Sequence, residues 1–401
     1  MFKVNPYRPG AGLMPAFLAG RENNIEEMKN IFEALKNNIP IQSVIYSGLR
    51  GVGKTVLLNR FYSIAQNMGL FCEYVEIDGK KDFTSIISDS AREFLKDAGV
   101  KEKGRPLIEK ALEAVKSLVL SFSPEDRTFS VSVKERELYT ARSYERSLTQ
   151  VFTTIGEVAQ AIETPICFII DEIQYMKRQE LGALISAIHR ANQLGYPIII
   201  VGAGLPKIIK MLSDVKSYSE RLFAYKTIGS LEKEQAEKAI VEPAKKFNVL
   251  YSKEAINKIF EITKGYPFFI QQLCKIVYDD ADGKYIDAEG VNESIDKFFK
   301  ALDDGFFRSR YERCSDTEKV FVFSMVKCGK LPCNIANISK NFGKSGKSLS
   351  PIRAKLIDKG IIYSTKYGEL DFTVPEFDSY IKRLGEYAEW TASIMTQKKD
   401  E

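Results

Sequence analysis

The stretch Gly48-Leu49-Arg50-Gly51-Val52-Gly53-Lys54-Thr55 determines how the rest of the chain is read. It matches the pattern G-x-x-x-x-G-K-T, in which glycines let consecutive backbone N–H groups curl around a phosphate. A β-rich run over 41–46 precedes it, and apolar residues at helical spacing follow over 54–68. A helix that starts at the loop adds the positive end of its dipole. The motif therefore predicts a nucleotide site in which Lys54 contacts the β- and γ-phosphates and Thr55 binds Mg²⁺.

A second motif ends in two adjacent carboxylates. The apolar run over 165–170 leads directly into Asp171 and Glu172. A continuous apolar run is typical of a strand buried on both faces of a parallel sheet, and ligands bind at the carboxyl ends of such strands. We therefore expect Asp171 beside the glycine loop as a Mg²⁺ ligand and Glu172 as the general base that polarises the attacking water. The alternative is that the pair only ends a strand in solvent.

Strands and helices alternate along the first half of the chain. A helix over 21–35 precedes the loop, and β-rich runs over 71–78, 165–170 and 196–202 are separated by segments with helical periodicity. This alternation is typical of an α/β fold with a doubly wound parallel sheet.

Composition excludes several classes of protein. The 401 residues favour two to three domains, and an apolar fraction of 44% allows a sizeable core. The single histidine, His189, excludes metal sites built from several histidines. The six cysteines form no C-x-x-C motif, so we expect reduced thiols in a cytoplasmic protein, with zinc ligation by Cys314, Cys328 and Cys333 as the less favoured alternative. We find no signal-peptide pattern and no apolar run long enough for a membrane span.

With these motifs in place, the chain resembles the AAA+ ATPases, in the branch near the origin-recognition replication initiators and the STAND ATPases. The P-loop and the Asp171-Glu172 Walker B motif carry the resemblance, and three shorter segments support it. The segment 17–22 resembles the one that closes over adenine. The segment 219–223 resembles the one that supplies an arginine finger to a neighbouring subunit. Gly265-Tyr266-Pro267 resembles the GxP element of STAND lids, whose proline packs on the base.

The resemblance implies an ATPase that uses ATP and Mg²⁺ and self-associates in an ATP-dependent way. The implied catalytic residues are Lys54, Asp171, Glu172 and Arg221, with Thr55 and Asp171 as Mg²⁺ ligands. The implied nucleotide-binding residues are Leu18, Arg21, Gly48, Arg50, Gly51, Val52, Gly53, Lys54, Thr55, Val56 and Pro267. For Arg221 the alternative is a surface salt bridge with a neighbour such as Glu220, and for Arg21 it is ordinary solvation at a helix start.

Two departures from the AAA+ pattern favour slow hydrolysis. The strand that ends at Gly202 has no Asn, Ser or Thr where these proteins usually place a first sensor. Gly265-Tyr266-Pro267 stands in place of a second sensor of the G-x-x-R type, so the lid offers no evident arginine to the γ-phosphate. We expect a low-turnover switch rather than a processive motor.

The second half of the chain predicts a helical lid and a winged helix. Four helices with short polar breaks cover 231–301. Ser315 and Glu318 predict a capping box at the start of the next helix, Gly343 ends a second helix, and Ser350-Pro351 starts a third that ends at Gly360. Two β runs over 361–365 and 369–374 complete a winged helix. The predicted domains are an AAA+ core over 1–228, a lid over 229–308, a winged helix over 309–388 and a tail over 389–401.

Positive charge is concentrated in the winged helix. Six basic residues lie between 339 and 359, and only Asp358 opposes them, although the net charge of the whole chain is only +5. Such residues neutralise backbone phosphates with little sequence preference. The predicted contacts with duplex DNA are Lys344, Lys347, Arg353, Lys355, Lys359 and Lys366. The alternative is that this module docks on protein.

Three hypotheses follow. In the first, the chain is a switch ATPase that binds duplex DNA and recruits or licenses an unidentified partner protein, in replication, in a mobile element or in defence. In the second, it is a STAND-like signalling switch whose winged helix docks on protein. In the third, it is a nucleotide-binding scaffold with negligible turnover.

Overall fold

The computed structural model describes residues 4–78, 82–99, 105–122 and 133–397. The chain forms two compact units. We call residues 20–48 with 53–229 the sheet unit, and residues 1–19, 49–52 and 230–401 the helical unit. No helix in the described part of the chain combines the length and the apolar character needed to cross a membrane.

The sheet unit is a five-stranded parallel sheet flanked by helices, as the sequence predicts. Its strand order is β2-β3-β4-β1-β5. The strands are β1 (Ser43–Ser47), β2 (Phe71–Glu76), β3 (Ile166–Asp171), β4 (Ile198–Gly204) and β5 (Phe223–Thr227). The helices are α1 (Glu22–Lys36), α2 (Lys54–Asn67), α3 (Phe83–Gly99), α4 (Arg105–Phe122), α5 (Val133–Ala161), α6 (Arg178–Gln193), α7 (Lys207–Val215) and α8 (Ser219–Leu222).

Burial explains why the apolar runs form central strands. Every residue of β1, β3 and β4 is buried. Aromatic pairs join the sheet to its helices, with ring centroids of Tyr46 and Phe61 5.3 Å apart and those of Phe152 and Phe168 5.4 Å apart. Because all five strands run parallel, the carboxyl ends of β1 and β3 lie at the same edge, with β4 between them. This edge carries both the glycine loop and the acidic pair.

The first part of the helical unit contains four helices. They are α9 (Lys233–Lys245), α10 (Lys253–Thr263), α11 (Pro267–Asp280) and α12 (Ala288–Ala301), with the short parallel strands β6 (Leu250–Tyr251) and β7 (Tyr285–Ile286). A π-helical turn over Leu302–Phe307 continues into α13 (Arg308–Tyr311). Phe298, Phe307 and other aromatic side chains of this region are buried together with Phe269 of α11.

The terminal module of the helical unit contains three helices and a three-stranded antiparallel sheet. The helices are α14 (Asp316–Val326), α15 (Ile335–Phe342) and α16 (Gly346–Asp358). The strands are β8 (Cys333–Asn334), β9 (Ile362–Lys366) and β10 (Glu369–Phe372), in the order β8-β10-β9. Two short helices follow, α17 (Phe377–Arg383) and α18 (Gly385–Gln397).

Two sequence-based boundaries in the terminal module are wrong. Helix α16 begins at Gly346 rather than at Ser350-Pro351, because Ser345 acts as its N-cap and accepts a hydrogen bond from the Ser348 amide. Pro351 therefore lies inside the helix. The predicted start of a tail at residue 389 falls within α18, where Trp390 packs on Phe323 at 5.6 Å between ring centroids.

Candidate nucleotide-binding site

The loop between β1 and α2 has the backbone geometry of an anion-binding turn. Gly53, the residue before α2, adopts a φ of +91°, which L side chains rarely adopt. Helix α2 therefore starts abruptly at Lys54, and its first N–H groups face the loop. The Lys54 side chain is buried, and its ammonium donates a hydrogen bond of 3.0 Å to the Gly48 carbonyl. The loop thus holds a buried cation at the start of a helix.

The structure brings Thr55 and Asp171 into contact. The Thr55 hydroxyl donates a hydrogen bond of 2.6 Å to Oδ2 of Asp171, the last residue of β3. Oδ1 of the same carboxylate accepts a 2.8 Å bond from the Glu172 amide, and Tyr74 of β2 donates from its hydroxyl to Oδ2 at 3.1 Å. A hydroxyl and a carboxylate are hard oxygen ligands of the kind that Mg²⁺ prefers. The two predicted Mg²⁺ ligands therefore fit that ion by type and by proximity.

Glu172 is held in an uncommon backbone conformation by a neighbouring side chain. Its φ is +52°, in the left-handed region, where a residue other than glycine usually has a local reason to be. The Gln174 amide donates to Oε2 of Glu172, and the Gln174 carbonyl accepts a 3.1 Å bond from the Leu205 amide. Gln174 is 3% exposed. It therefore ties the predicted general base to the end of β4, where the expected sensor side chain is missing.

The tip of the glycine loop contacts α11 within the helical unit. The Gly51 carbonyl accepts a hydrogen bond of 3.2 Å from the Phe268 amide. A Cβ atom at Gly51, where φ is +82°, would lie 3.1 Å from Tyr266 Cε1 and 3.2 Å from Phe268 Cβ. Pro267 opens α11 at its first turn and is half-buried. Glycine at position 51 is thus required by both the backbone angle and the close approach of α11.

In the segment that is predicted to close over adenine, Arg21 has a structural role. Arg21 is 7% exposed, and its guanidinium donates to the carbonyls of Gly20 at 3.0 Å and Gly229 at 2.8 Å. Burial lowers the pKa of Arg21 below its usual range. The alternative of simple solvation is therefore wrong, and the guanidinium joins the two ends of the sheet unit's chain instead. Leu18 and Val56 are half-buried.

Arg221 lies on α8 with its side chain exposed. Within the described ranges its guanidinium forms no ion pair, and its carbonyl accepts a hydrogen bond of 2.6 Å from Gln42. The alternative role, a salt bridge with Glu220, is absent from the described residues. An exposed, uncommitted guanidinium is what a contact with another molecule requires.

The basic residues of the terminal module differ in their availability. Lys344, Lys347, Lys355 and Lys366 are exposed, and Arg353 is half-buried. Lys359 is engaged inside the module, since its ammonium lies 2.6 Å from Oε2 of Glu318 and donates 2.8 Å to the Arg313 carbonyl. Glu318 is also the capping-box residue that accepts from the Ser315 amide. The structure therefore removes Lys359 from the predicted DNA contacts, because its charge compensates a buried carboxylate.

Sequence reasoning overlooked two side chains of the sheet unit, Tyr74 and Gln174. In the helical unit it overlooked Tyr266 as a packing partner of Gly51. Tyr74 sits at an alternating position of an ordinary strand, and burial, followed by the nearby Asp171, raises its pKa well above the usual range. For Gln174, the sequence signal is its polar side chain two positions after Glu172. Its role depends on Leu205, which is distant in sequence.

Two family models match the chain. Residues 18–201 match the AAA ATPase domain, and residues 304–381 match a family described as a domain of unknown function. No curated protein is significantly similar to the chain.

Among solved structures, the Walker-type ATPase PABY2304 of Pyrococcus abyssi is similar with a TM-score of 0.57 at 13% identity. The similarity covers 91% of this chain and 96% of that chain, so the two share a fold over nearly their whole lengths. The ORC1 protein of Aeropyrum pernix in complex with DNA has a TM-score of 0.46 at 13% identity and covers 94% of this chain and 95% of that chain. The RuvB Holliday junction branch migration motor of Thermotoga maritima has a TM-score of 0.42 at 15% identity and covers 91% and 95%.

Proposed function

Because residues 18–201 match the AAA ATPase domain, we propose that the chain is a slow ATP-dependent switch ATPase whose terminal module binds duplex DNA. The observation that carries the nucleotide half is the 2.6 Å contact between Thr55 and Asp171 beside a buried loop lysine. The observation that carries the DNA half is the set of exposed basic residues in the terminal module.

In the proposed reaction each of the predicted site residues has one task. The loop amides and Lys54 bind and orient the phosphate chain, which positions the terminal phosphate for attack. Thr55 and Asp171 would hold Mg²⁺, which neutralises charge on the phosphate oxygens when it is bound. Glu172 accepts the proton of the attacking water, and Gln174 orients that carboxylate. Arg221 would complete the site of a neighbouring copy as an arginine finger in trans.

We interpret residues 316–372 as a winged helix, with α16 as the helix that faces DNA. The helix order α14, α15 and α16, followed by the hairpin β9-β10, supports this. Lys347 and Lys355 are exposed on α16, Lys344 precedes it, and Lys366 lies at the hairpin turn. These four charges suit phosphate contacts, which give affinity without sequence selectivity. In this proposal residues 229–308 form the lid of the ATPase. The self-associated protein recruits a partner protein.

Fluorescence anisotropy of labelled duplex across a salt series tests the DNA half. Each lost phosphate contact should flatten the slope of log affinity against log salt by about 0.9. We expect a Lys347→Glu, Lys355→Glu variant to bind weakly with a slope reduced by roughly 2. The matched control is Lys233→Glu, Lys253→Glu, which makes the same change in net charge on exposed residues of α9 and α10.

Equal binding by wild type and the Lys347→Glu, Lys355→Glu variant contradicts the DNA proposal, as does equal weakening by the control. A second candidate then takes first place, a signalling switch whose terminal module docks on protein. The contact between the Gly51 carbonyl and Phe268 supports this candidate, because it ties the phosphate loop to α11 of the helical unit.

A further inference from the structure

Tyr74 of β2 reaches the carboxylate of Asp171 diagonally across two neighbouring strands. In the parallel register Glu76 lies opposite Asp171, and its exposed carboxylate can offer Asp171 only a second negative charge. Tyr74 stands two residues before Glu76, so both side chains leave the same face of the sheet. The Tyr74 hydroxyl donates a hydrogen bond of 3.1 Å to Oδ2 of Asp171. Tyr74 thus supplies the donor that the opposite position lacks.

The ring of Tyr74 packs on the helix that carries Thr55. Tyr62 of α2 lies edge-on to Tyr74, with ring centroids 6.3 Å apart and an interplanar angle of 90°. Helix α2 begins at Lys54, and Thr55 in its first turn donates to the same Oδ2 atom of Asp171 at 2.6 Å. The hydroxyls of Tyr74 and Thr55 therefore meet at one carboxylate oxygen, and the packing on Tyr62 fixes Tyr74 relative to α2.

Both oxygens of the Asp171 carboxylate accept hydrogen bonds, which fixes the orientation of the group. The Glu172 amide donates to Oδ1 at 2.8 Å, and the hydroxyls of Tyr74 and Thr55 donate to Oδ2. Because Asp171 is buried, these bonds compensate a charge that water reaches poorly. Thr55 is itself a predicted Mg²⁺ ligand. Of the two hydroxyls at Oδ2, that of Tyr74 is therefore the one that remains dedicated to the carboxylate when the ion binds.

We propose that Tyr74 is a positioning residue of the Mg²⁺ site, whose hydroxyl holds the Asp171 carboxylate in the orientation in which it binds the ion together with Thr55. Mg²⁺ demands nearly ideal octahedral geometry, so a carboxylate that can rotate binds it less well. Loss of a hydrogen-bonding partner of a metal ligand typically lowers metal affinity roughly ten- to a hundredfold. The inference rests on the proposed nucleotide site and adds to it a residue that contacts the metal only through Asp171.

Isothermal titration of ATP in excess Mg²⁺ and in EDTA tests this proposal. The ratio of the two affinities measures how much the ion adds to nucleotide binding. Without the ion, the loop amides and Lys54 hold ATP, so Tyr74→Phe should bind ATP in EDTA as the wild type does. In Mg²⁺ its affinity should fall, so that the ratio drops roughly ten- to a hundredfold. A variant with a merely structural defect would lose affinity in both conditions and keep the ratio.

Two further variants show whether the effect passes through Asp171. Tyr62→Phe is the matched control, because it removes a tyrosine hydroxyl of the sheet unit that accepts a 2.8 Å bond from Gln66 and does not contact Asp171. It should keep the wild-type ratio. Asp171→Ala should lower the ratio at least as far as Tyr74→Phe does. Adding Tyr74→Phe to Asp171→Ala should then cause no further loss, because Tyr74 has no carboxylate left to hold.

Several outcomes would overturn the role of Tyr74. They are an unchanged ratio in Tyr74→Phe, an equal fall in Tyr62→Phe, a further loss in the double variant, and equal ATP affinity of the wild type in Mg²⁺ and in EDTA. If the wild type binds ATP and Lys54→Ala does not, the nucleotide site is correct, and these outcomes refute only the role of Tyr74. If the wild type does not bind ATP, the nucleotide site fails and the inference fails with it.

Discussion

Replacing Gln174 with methionine tests whether this residue positions the general base. The substitution keeps the volume of the side chain but removes its two hydrogen bonds. One is the bond from the amide to the Glu172 carboxylate, and the other is accepted from the buried Leu205 amide. We expect ATP affinity to remain, because Gln174 lies after β3 and outside the glycine loop. Stability and turnover should both fall.

The structure sets the expected magnitudes. A hydrogen bond to a charged group contributes about 1.5–3 kcal/mol, and a buried amide left without a partner costs about 1–3 kcal/mol. Because Glu172 is only half-buried, we expect a total loss of about 2–4 kcal/mol. For a unit of this size that lowers the melting temperature by roughly 4–16 °C. Poorer positioning of the carboxylate should lower turnover roughly ten- to a hundredfold.

A double-mutant cycle on phosphate release distinguishes positioning from a merely structural effect. Glu172→Gln alone should keep ATP binding and lower turnover by roughly 10²- to 10⁴-fold. If Gln174 acts only through Glu172, adding Gln174→Met to Glu172→Gln should cause no further loss. The control is Gln193→Met, an exposed glutamine at the end of α6. Turnover in Gln174→Met equal to the wild type, or additive losses in the double variant, would refute the positioning role.

Two further predictions concern Arg221 and the Lys359–Glu318 pair. If Arg221 acts in trans, specific ATPase activity should rise with wild-type protein concentration. Arg221→Ala should lower specific activity at high protein concentration by up to roughly 10³-fold and remove its dependence on concentration, whereas Glu220→Ala should keep that dependence. Specific activity that does not change with the concentration of the wild type would argue against an arginine finger. Burial is the largest single effect and raises the pKa of Glu318, but the hydrogen bonds from Lys359 and Ser315 and the positive charge of Lys359 together lower it more, so the folded-state pKa is depressed. The pair therefore stabilises above the unfolded-state pKa and loses this effect as pH falls through the folded-state pKa. Lys359→Met should cost roughly 1–2 kcal/mol in urea unfolding at pH 7 and less in acid, and Lys355→Met should cost little at either pH. If the loss of unfolding free energy in Lys359→Met does not change with pH, the Lys359–Glu318 pair is not its cause.

The parts of the fold that depend on local pattern could be predicted from the sequence. The glycine loop, the apolar strand that ends at Asp171 and the capping box at Ser315 are each encoded within a few residues. The parallel sheet then places the ends of β1 and β3 at one edge, which explains why the expected neighbours Thr55 and Asp171 are in contact.

The features that sequence reasoning missed depend on partners that are distant along the chain. The resemblance implies that Arg21 binds nucleotide, with solvation at a helix start as the alternative, but its guanidinium donates a hydrogen bond to the Gly229 carbonyl. The sequence predicts Lys359 as a surface cation that contacts DNA, but its ammonium forms an ion pair with the buried carboxylate of Glu318. The predicted start of α16 at Ser350-Pro351 is too late, because proline in the first turn commonly marks the start of a helix. In this helix the Ser345 N-cap sets the start instead.

Titration calorimetry of ATP into wild type and Lys54→Ala tests the central claim most directly. Lys54 is the buried cation of the glycine loop, held 3.0 Å from the Gly48 carbonyl at the start of α2. We predict that the wild type binds ATP in the presence of Mg²⁺ and that Lys54→Ala shows no measurable binding while keeping its fold by circular dichroism. Wild-type affinity in a folded Lys54→Ala variant would contradict the assignment of this loop as the nucleotide site.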